Sequence, residues 1–152
     1  VINHDLKLEI SEKFDSFVAE VWDALTDKES VKKYFFGTEL NTDWKVGSPI
    51  IFRGNWEGQS YEDKGKILEA EKEKLIKYTY LSSFSGLPDL KEKYSTITYQ
   101  LQPEGQGTML TVVQQGFRDE KAHNDSKEGW RIVLKNLKKL LSEKQNESKS
   151  SS

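Results

Sequence analysis

Aromatic rings and one amide, rather than a nucleophile or a metal set, are the residues of this chain with chemistry to offer. Phe35, Phe36, Trp56, Tyr78, Tyr80, Phe84 and Trp130 bring flat apolar faces. Trp56, Tyr78 and Tyr80 also carry a donor that an apolar interior has to satisfy. Gln114 falls on the same strand face as Leu110 and Val112 by period-2 counting. An inward amide without partners costs about 1–3 kcal/mol, so a ligand, a water or Tyr99 has to meet it. Several rings with one inward polar group are the inventory of a pocket for a small lipid-like or aromatic molecule. Plain core packing is the competing reading of every ring, and for Trp130 and Trp22 it is that of a structural anchor.

Other chemistries find less support. Arg53 is of the type that grips carboxylates, but alternation sets it opposite Phe52, on the solvent face. His4 and His123 are the 2 histidines, far apart and without carboxylates at ligand spacing, so no metal site is expected. No serine has a Gly-x-Ser-x-Gly context. The absence of cysteine excludes disulfides and thiolate chemistry. Glu57, Asp63 and Glu69 are the carboxyl groups left for acid–base work. No cofactor is expected, and the residues favour a binding protein over an enzyme.

The elements that must position these side chains can be read from periodicity. Leu6, Leu8 and Ile10 alternate in an opening strand. Asp15 or Ser16 is placed to cap a helix with Phe17, Val18, Val21, Trp22 and Leu25 as its apolar positions. Asp27 caps a second, short helix bearing Val31, Tyr34 and Phe35, and Gly37 ends it as the residue that accepts a left-handed conformation. Strands are expected over Thr38–Trp44, Pro49–Trp56, Gln59–Glu71 and Leu75–Leu81. Ile67 and Leu68 point oppositely, so the buried face of Gln59–Glu71 stays unassigned. Ser95–Gln102 and Thr108–Gln115 form a hairpin, with Ile97, Tyr99 and Leu101 on one face. A polar loop, Phe117–Glu128, then leads to a helix over Ser126–Ser142. Trp130, Val133, Leu134, Leu137, Leu140 and Leu141 make one stripe along it. The long apolar connection Leu81–Tyr94 reads as a mobile rim over the pocket.

Successive strands on short turns predict an antiparallel meander, hence an α+β fold in which six or seven strands curve onto the last helix. A length of 152 residues fits one domain, read as residues 1–144 with a disordered serine-rich tail over 145–152. Hydrophobic content of 35% is low, and 4 Trp, 6 Tyr and 7 Phe offset it by burying large areas. A net charge of −2 with dispersed basic residues argues against nucleic-acid binding. No apolar run has the roughly 20 residues of a membrane span, and no leader precedes the fold, so the default location is cytoplasmic. Ile132 sits off the buried stripe and, with Ile51, hints at self-association: a monomer or a weak homodimer.

A run of short motifs then carries a family resemblance. Val21-Trp22 with Leu25-Thr26-Asp27, Tyr34-Phe35-Phe36, Val46-Gly47 and Gly65-Lys66-Ile67-Leu68-Glu69 are four of them. Leu75-Ile76-Lys77-Tyr78-Thr79, Ser95 to Leu101, Gly107 to Val112 and Gly129-Trp130 complete the set. In this order they resemble the activator of heat-shock-protein-ninety ATPase, C-terminal-domain-like family. That family lies within the START-like (SRPBCC, birch-pollen-allergen-like) superfamily. The resemblance implies the helix-grip fold, with a sheet wrapped on a long C-terminal helix around a deep pocket. It also places Gln114 where many relatives carry a histidine. Three functions fall within its reach. The first is a hydrophobic-ligand binding module. The second is a chaperone-associated interaction domain with a role in stress response, and the third a cofactor-free cyclase- or hydratase-type enzyme. The residues favour the first.

Overall fold

The strand faces set by alternation decide how this chain folds. The computed structural model describes residues 3–82, 90 and 93–150; the side chains of Trp56 and of 145–150 lie outside that set. Strand β1 (Asn3–Phe14) leads into helices α1 (Val18–Thr26) and α2 (Lys28–Tyr34). Six more strands follow: β2 (Glu39–Asn41), β3 (Pro49–Trp56), β4 (Gln59–Glu71), β5 (Leu75–Tyr80), β6 (Ser95–Glu104) and β7 (Gly107–Phe117). Helix α3 (Glu120–Ser150) closes the chain. Among the described residues the seven strands form one sheet in the order β1-β7-β6-β5-β4-β3-β2, every neighbouring pair antiparallel. The two short helices carry the chain from one edge of the sheet to the other.

One face of this sheet is apolar. Ile76 and Tyr78 from β5, Ile97, Tyr99 and Leu101 from β6, and Leu110 and Val112 from β7 are all buried. Against them lies the stripe of α3: Trp130, Val133, Leu134, Leu137, Leu140 and Leu141, each buried, with Leu137 at 0% exposure. Each such side chain contributes about 1.5–3 kcal/mol on leaving water. The result is the α+β helix-grip architecture. Among the described residues no helix is long and apolar enough to cross a membrane.

The face of β4 follows from alternation and one irregularity. Ile67 is buried at 0% and Leu68 38% exposed by plain alternation, and the register shift between Ile67 and Glu69 then brings Ala70 to the core side. Asp63, two residues before Gly65 in the regular part of β4, is buried and paired with Phe52 of β3. Gly65 is demanded by the same region, because a Cβ there would run into the backbone carbonyl of Thr79.

Several local expectations are corrected. Helix α3 begins at Glu120, not Ser126, because Asp119 Oδ1 accepts the Ala122 amide at 2.8 Å and caps it. The same helix runs through 145–150, where composition predicts a disordered tail; Glu, Lys and Gln are good helix formers and extend it. Helix α1 is capped by neither Asp15 nor Ser16. Phe17 holds that position, its amide donating to Glu20 Oε1 at 3.2 Å, while the Ser16 carbonyl accepts the Thr108 hydroxyl at 2.8 Å. Asp27 does cap α2, accepting from the Ser30 amide at 3.0 Å. At the other end of α2 the Gly37 amide donates to Lys32 O at 3.0 Å, closing a Schellman-type turn. The left-handed residue inside that turn is Phe36, with φ 54°, followed by Gly37 at 74°. The strand expected over Thr38–Trp44 shortens to Glu39–Asn41.

Candidate functional site

The sheet does not close fully on the first turns of α3. A cavity of about 310 Å³ remains, walled by Phe35 and Phe36 after α2 and by Tyr61 and Asp63 from β4. Tyr78 and Tyr80 from β5, Ser82, Ile97 from β6 and Gln114 from β7 continue the wall, and Ser126, Gly129, Trp130 and Val133 of α3 complete it. Six of the residues singled out in the sequence therefore meet at one space: Phe35, Phe36, Tyr78, Tyr80, Gln114 and Trp130. Trp56 ends β3 with its side chain outside the described set. Phe84 lies outside the described residues, as does most of the expected rim, 83–89 and 91–92.

The polar handles of these rings are satisfied within the protein. The Tyr78 and Tyr99 hydroxyls share a hydrogen bond of 2.8 Å. Tyr80 donates to Asp63 Oδ2 at 2.5 Å. Trp130 Nε1 donates to Gln114 Oε1 at 2.8 Å, and Gln114 Nε2 donates to Ser95 Oγ at 3.3 Å. The partners of the inward amide are thus Trp130 and Ser95, not Tyr99. Tyr61 reaches Thr38 Oγ1 at 2.6 Å, passing over Gly54, where any Cβ would overlap its ring. With donors and acceptors so occupied, the wall is mainly aromatic.

Those rings also hold each other. Phe35 meets Trp130 edge-on at 6.0 Å between centroids and stacks on Phe52 at 6.0 Å. Phe52 meets Tyr80 edge-on at 5.6 Å, and Tyr99 meets Trp130 at 5.8 Å. Such pairs fix ring orientation beyond what area burial alone would do. Burial raises the Tyr78 phenol well above its ordinary value, and its neighbour Tyr99 adds to the effect. Burial, then the charge of Asp63, does the same for Tyr80. Both hydroxyls therefore stay protonated at neutral pH.

Besides Ser82 and Ser126, three contributors to this wall give no clear signal in the sequence. Asp63 reads from the sequence only as one of three carboxyl groups, because the inner face of β4, on which it alternates with Tyr61, Gly65 and Ile67, stays unassigned there. Tyr61 was not singled out, although Gly54 across the strand pair signalled a ring lying over a glycine. Gly129 gives no periodic signal. It sits in mid-helix, and a Cβ built on it meets nothing within 4 Å. Gly in a helix interior costs about 0.8–1 kcal/mol relative to Ala, so its presence here leaves space at the expense of stability.

A second hollow of about 440 Å³ adjoins the first, sharing Tyr80, Ser82, Gln114 and Ser126 with it. Its outer part is charged, with Lys93, Arg118, Asp119, Lys121 and Asp125. Among the described residues no cluster of three or more histidine, aspartate or glutamate side chains is arranged to hold a metal ion. His123 is engaged elsewhere, its Nε2 2.9 Å from the Lys7 carbonyl and its ring against Phe117. Arg53 is exposed and paired with Glu62 at 2.8 Å, the surface role that alternation predicts.

A curved antiparallel sheet, a gripping C-terminal helix and a hollow between them define a START-like helix-grip protein. The sequence profile of the family described as Activator of Hsp90 ATPase homolog 1-like protein matches residues 15–142, and the chain belongs to that family. Among solved structures, the solution structure of a Cytophaga hutchinsonii protein is 34% identical with a TM-score of 0.80, covering 95% of this chain and 99% of that one. A Mesorhizobium loti protein is similar in fold at 22% identity and a TM-score of 0.75, over 91% of this chain and 98% of its own. CalU16 from Micromonospora echinospora shares the fold at 23% identity and a TM-score of 0.72, over 93% and 79% of the two chains. No curated protein matches the sequence. Family and fold together support a ligand-binding or regulatory module.

Proposed function

We propose that this chain is a non-enzymatic binding module holding a small lipid-like or aromatic ligand between its sheet and α3. The observation that carries this reading is Gly129. A helix that grips a sheet gains from every apolar atom it buries, yet here it carries a residue with no side chain beside a cavity of about 310 Å³. A fold selected for packing alone would fill that position. Paired hydroxyls and edge-on rings give the wall a fixed, mostly apolar shape, as small-molecule pockets require.

The test is native mass spectrometry of gently purified protein, followed by tryptophan fluorescence during titration with isoprenoids, fatty acids and flavonoid-like aromatics. A co-purifying mass or a saturable change carried by Trp130 supports the reading. Absence of both, with a folded protein, contradicts it.

The family description supports a second reading, a regulator of the Hsp90 ATPase. Addition of this chain to the chaperone would then raise ATP turnover, and an unchanged rate would remove that reading.

A further inference from the structure

The inner cavity has a charge as well as a shape. Phe35, Phe36, Tyr78, Tyr80 and Trp130 turn aromatic rings toward one space, and Asp63 joins them at 6% exposure. Among the described lining residues there is no Lys, Arg or His. We propose that the ligand of this pocket is an organic cation, a quaternary or tertiary ammonium on an apolar body, held by the aromatic walls with Asp63 as its counter-charge. This deepens the binding-module reading and rests on it.

Ring faces are electron-rich, so aromatic side chains gathered around one hollow can meet a diffuse positive charge with a face, which a carboxylate cannot use. A neutral apolar ligand gains from the same rings by burial alone. Asp63 breaks the tie. Among the described lining residues Asp63 is the one with a formal charge, and a buried acid disfavours fatty acids and other anions and attracts a cation where little water screens it. The Tyr80 hydroxyl donates to Asp63 Oδ2 and fixes where that acid sits. A quaternary ammonium has no proton to donate, so it needs proximity to the acid rather than an unoccupied lone pair. The adjoining outer hollow differs in kind. It mixes Lys93, Arg118 and Lys121 with Asp119 and Asp125, and Lys121 is paired with Asp125 at 3.0 Å.

The experiment compares phenyltrimethylammonium with tert-butylbenzene, its neutral carbon isostere, by NMR chemical-shift titration of the full chain. The wild type should bind the cation about tenfold more tightly than the isostere. Asp63→Asn, which still accepts from Tyr80, should cut that preference by about threefold or more while leaving the isostere's affinity unchanged. Phe36→Leu, at a partly exposed ring, provides a second arm if Asp63→Asn fails to fold. It should weaken the cation about threefold and the isostere not at all. Equal affinities in the wild type, or a preference that survives both substitutions undiminished, overturn the cation assignment while the pocket stands. Binding of neither probe overturns the pocket reading and this inference together.

Discussion

The Trp130 indole donates to Gln114 Oε1 at 2.8 Å, fastening α3 to the end of β7 inside the wall of the cavity. Gln114 passes the constraint on by donating to Ser95 on β6 at 3.3 Å. One side chain thereby ties the grip helix to two strands, and both residues are 7% exposed. Trp130→Phe or Gln114→Leu alone leaves a buried partner unpaired and should cost about 1–3 kcal/mol in urea unfolding. The double variant should cost less than the sum, since neither orphan remains. Additive losses would show that the bond contributes no coupling.

Leu137 lies at 0% exposure in the middle of the α3 stripe, away from the cavity wall. Leu137→Ala should therefore destabilise the fold by about 2–5 kcal/mol, measured by denaturant unfolding. A loss below about 1 kcal/mol would mean that the helix is not clamped there.

Four phenols, Tyr34, Tyr78, Tyr80 and Tyr99, are held above the ordinary value of 10.0, with burial as the first cause in each. The folded state keeps their protons more tightly than the unfolded state does. Stability from these groups is accordingly complete below pH 10 and declines as pH rises past the unfolded value. Absorbance at alkaline pH should show these tyrosines ionising only together with loss of the fold. Their ionisation in a still-folded protein would contradict the burial described above.

Phe36 adopts a left-handed φ of 54° while 42% exposed, next to a glycine suited to that conformation. Backbone strain at a non-glycine residue costs about 1–2 kcal/mol, so its ring is held there at a penalty. Phe36→Gly should leave thermal stability equal or higher, and should weaken binding of an apolar ligand in the same preparation. Lower stability with unchanged binding would assign the ring to packing instead.

What the sequence revealed and what it hid follow one rule. Where a segment keeps one period, its buried face could be read: Ile97, Tyr99 and Leu101, and the six residues of the α3 stripe, face inward as alternation and helical spacing predict. Where the period breaks, it could not. In β4 the adjacent Ile67 and Leu68 point to opposite faces and the register shift that follows breaks the alternation, so the inner face, and Asp63 with it, stayed unassigned. The polar run before Ser126 masked the true start of α3, although Asp119 offered a capping signal. Gly129 stands out in the sequence only within the Gly129-Trp130 motif, since an absent side chain marks space only once its surroundings are in place.

Everything proposed for this protein depends on that space being open to a ligand. The deciding measurement is the affinity of Gly129→Leu for the neutral fluorophore N-phenylnaphthylamine, compared with wild type at equal concentration. Leucine removes the helix penalty of glycine and fills the hollow, so the variant should melt at or above the wild-type temperature. Its fluorescence titration should show affinity reduced by about tenfold or more, against a saturable single-site curve for the wild type. An unchanged affinity in the folded variant, or no saturable binding by the wild type, would contradict the account.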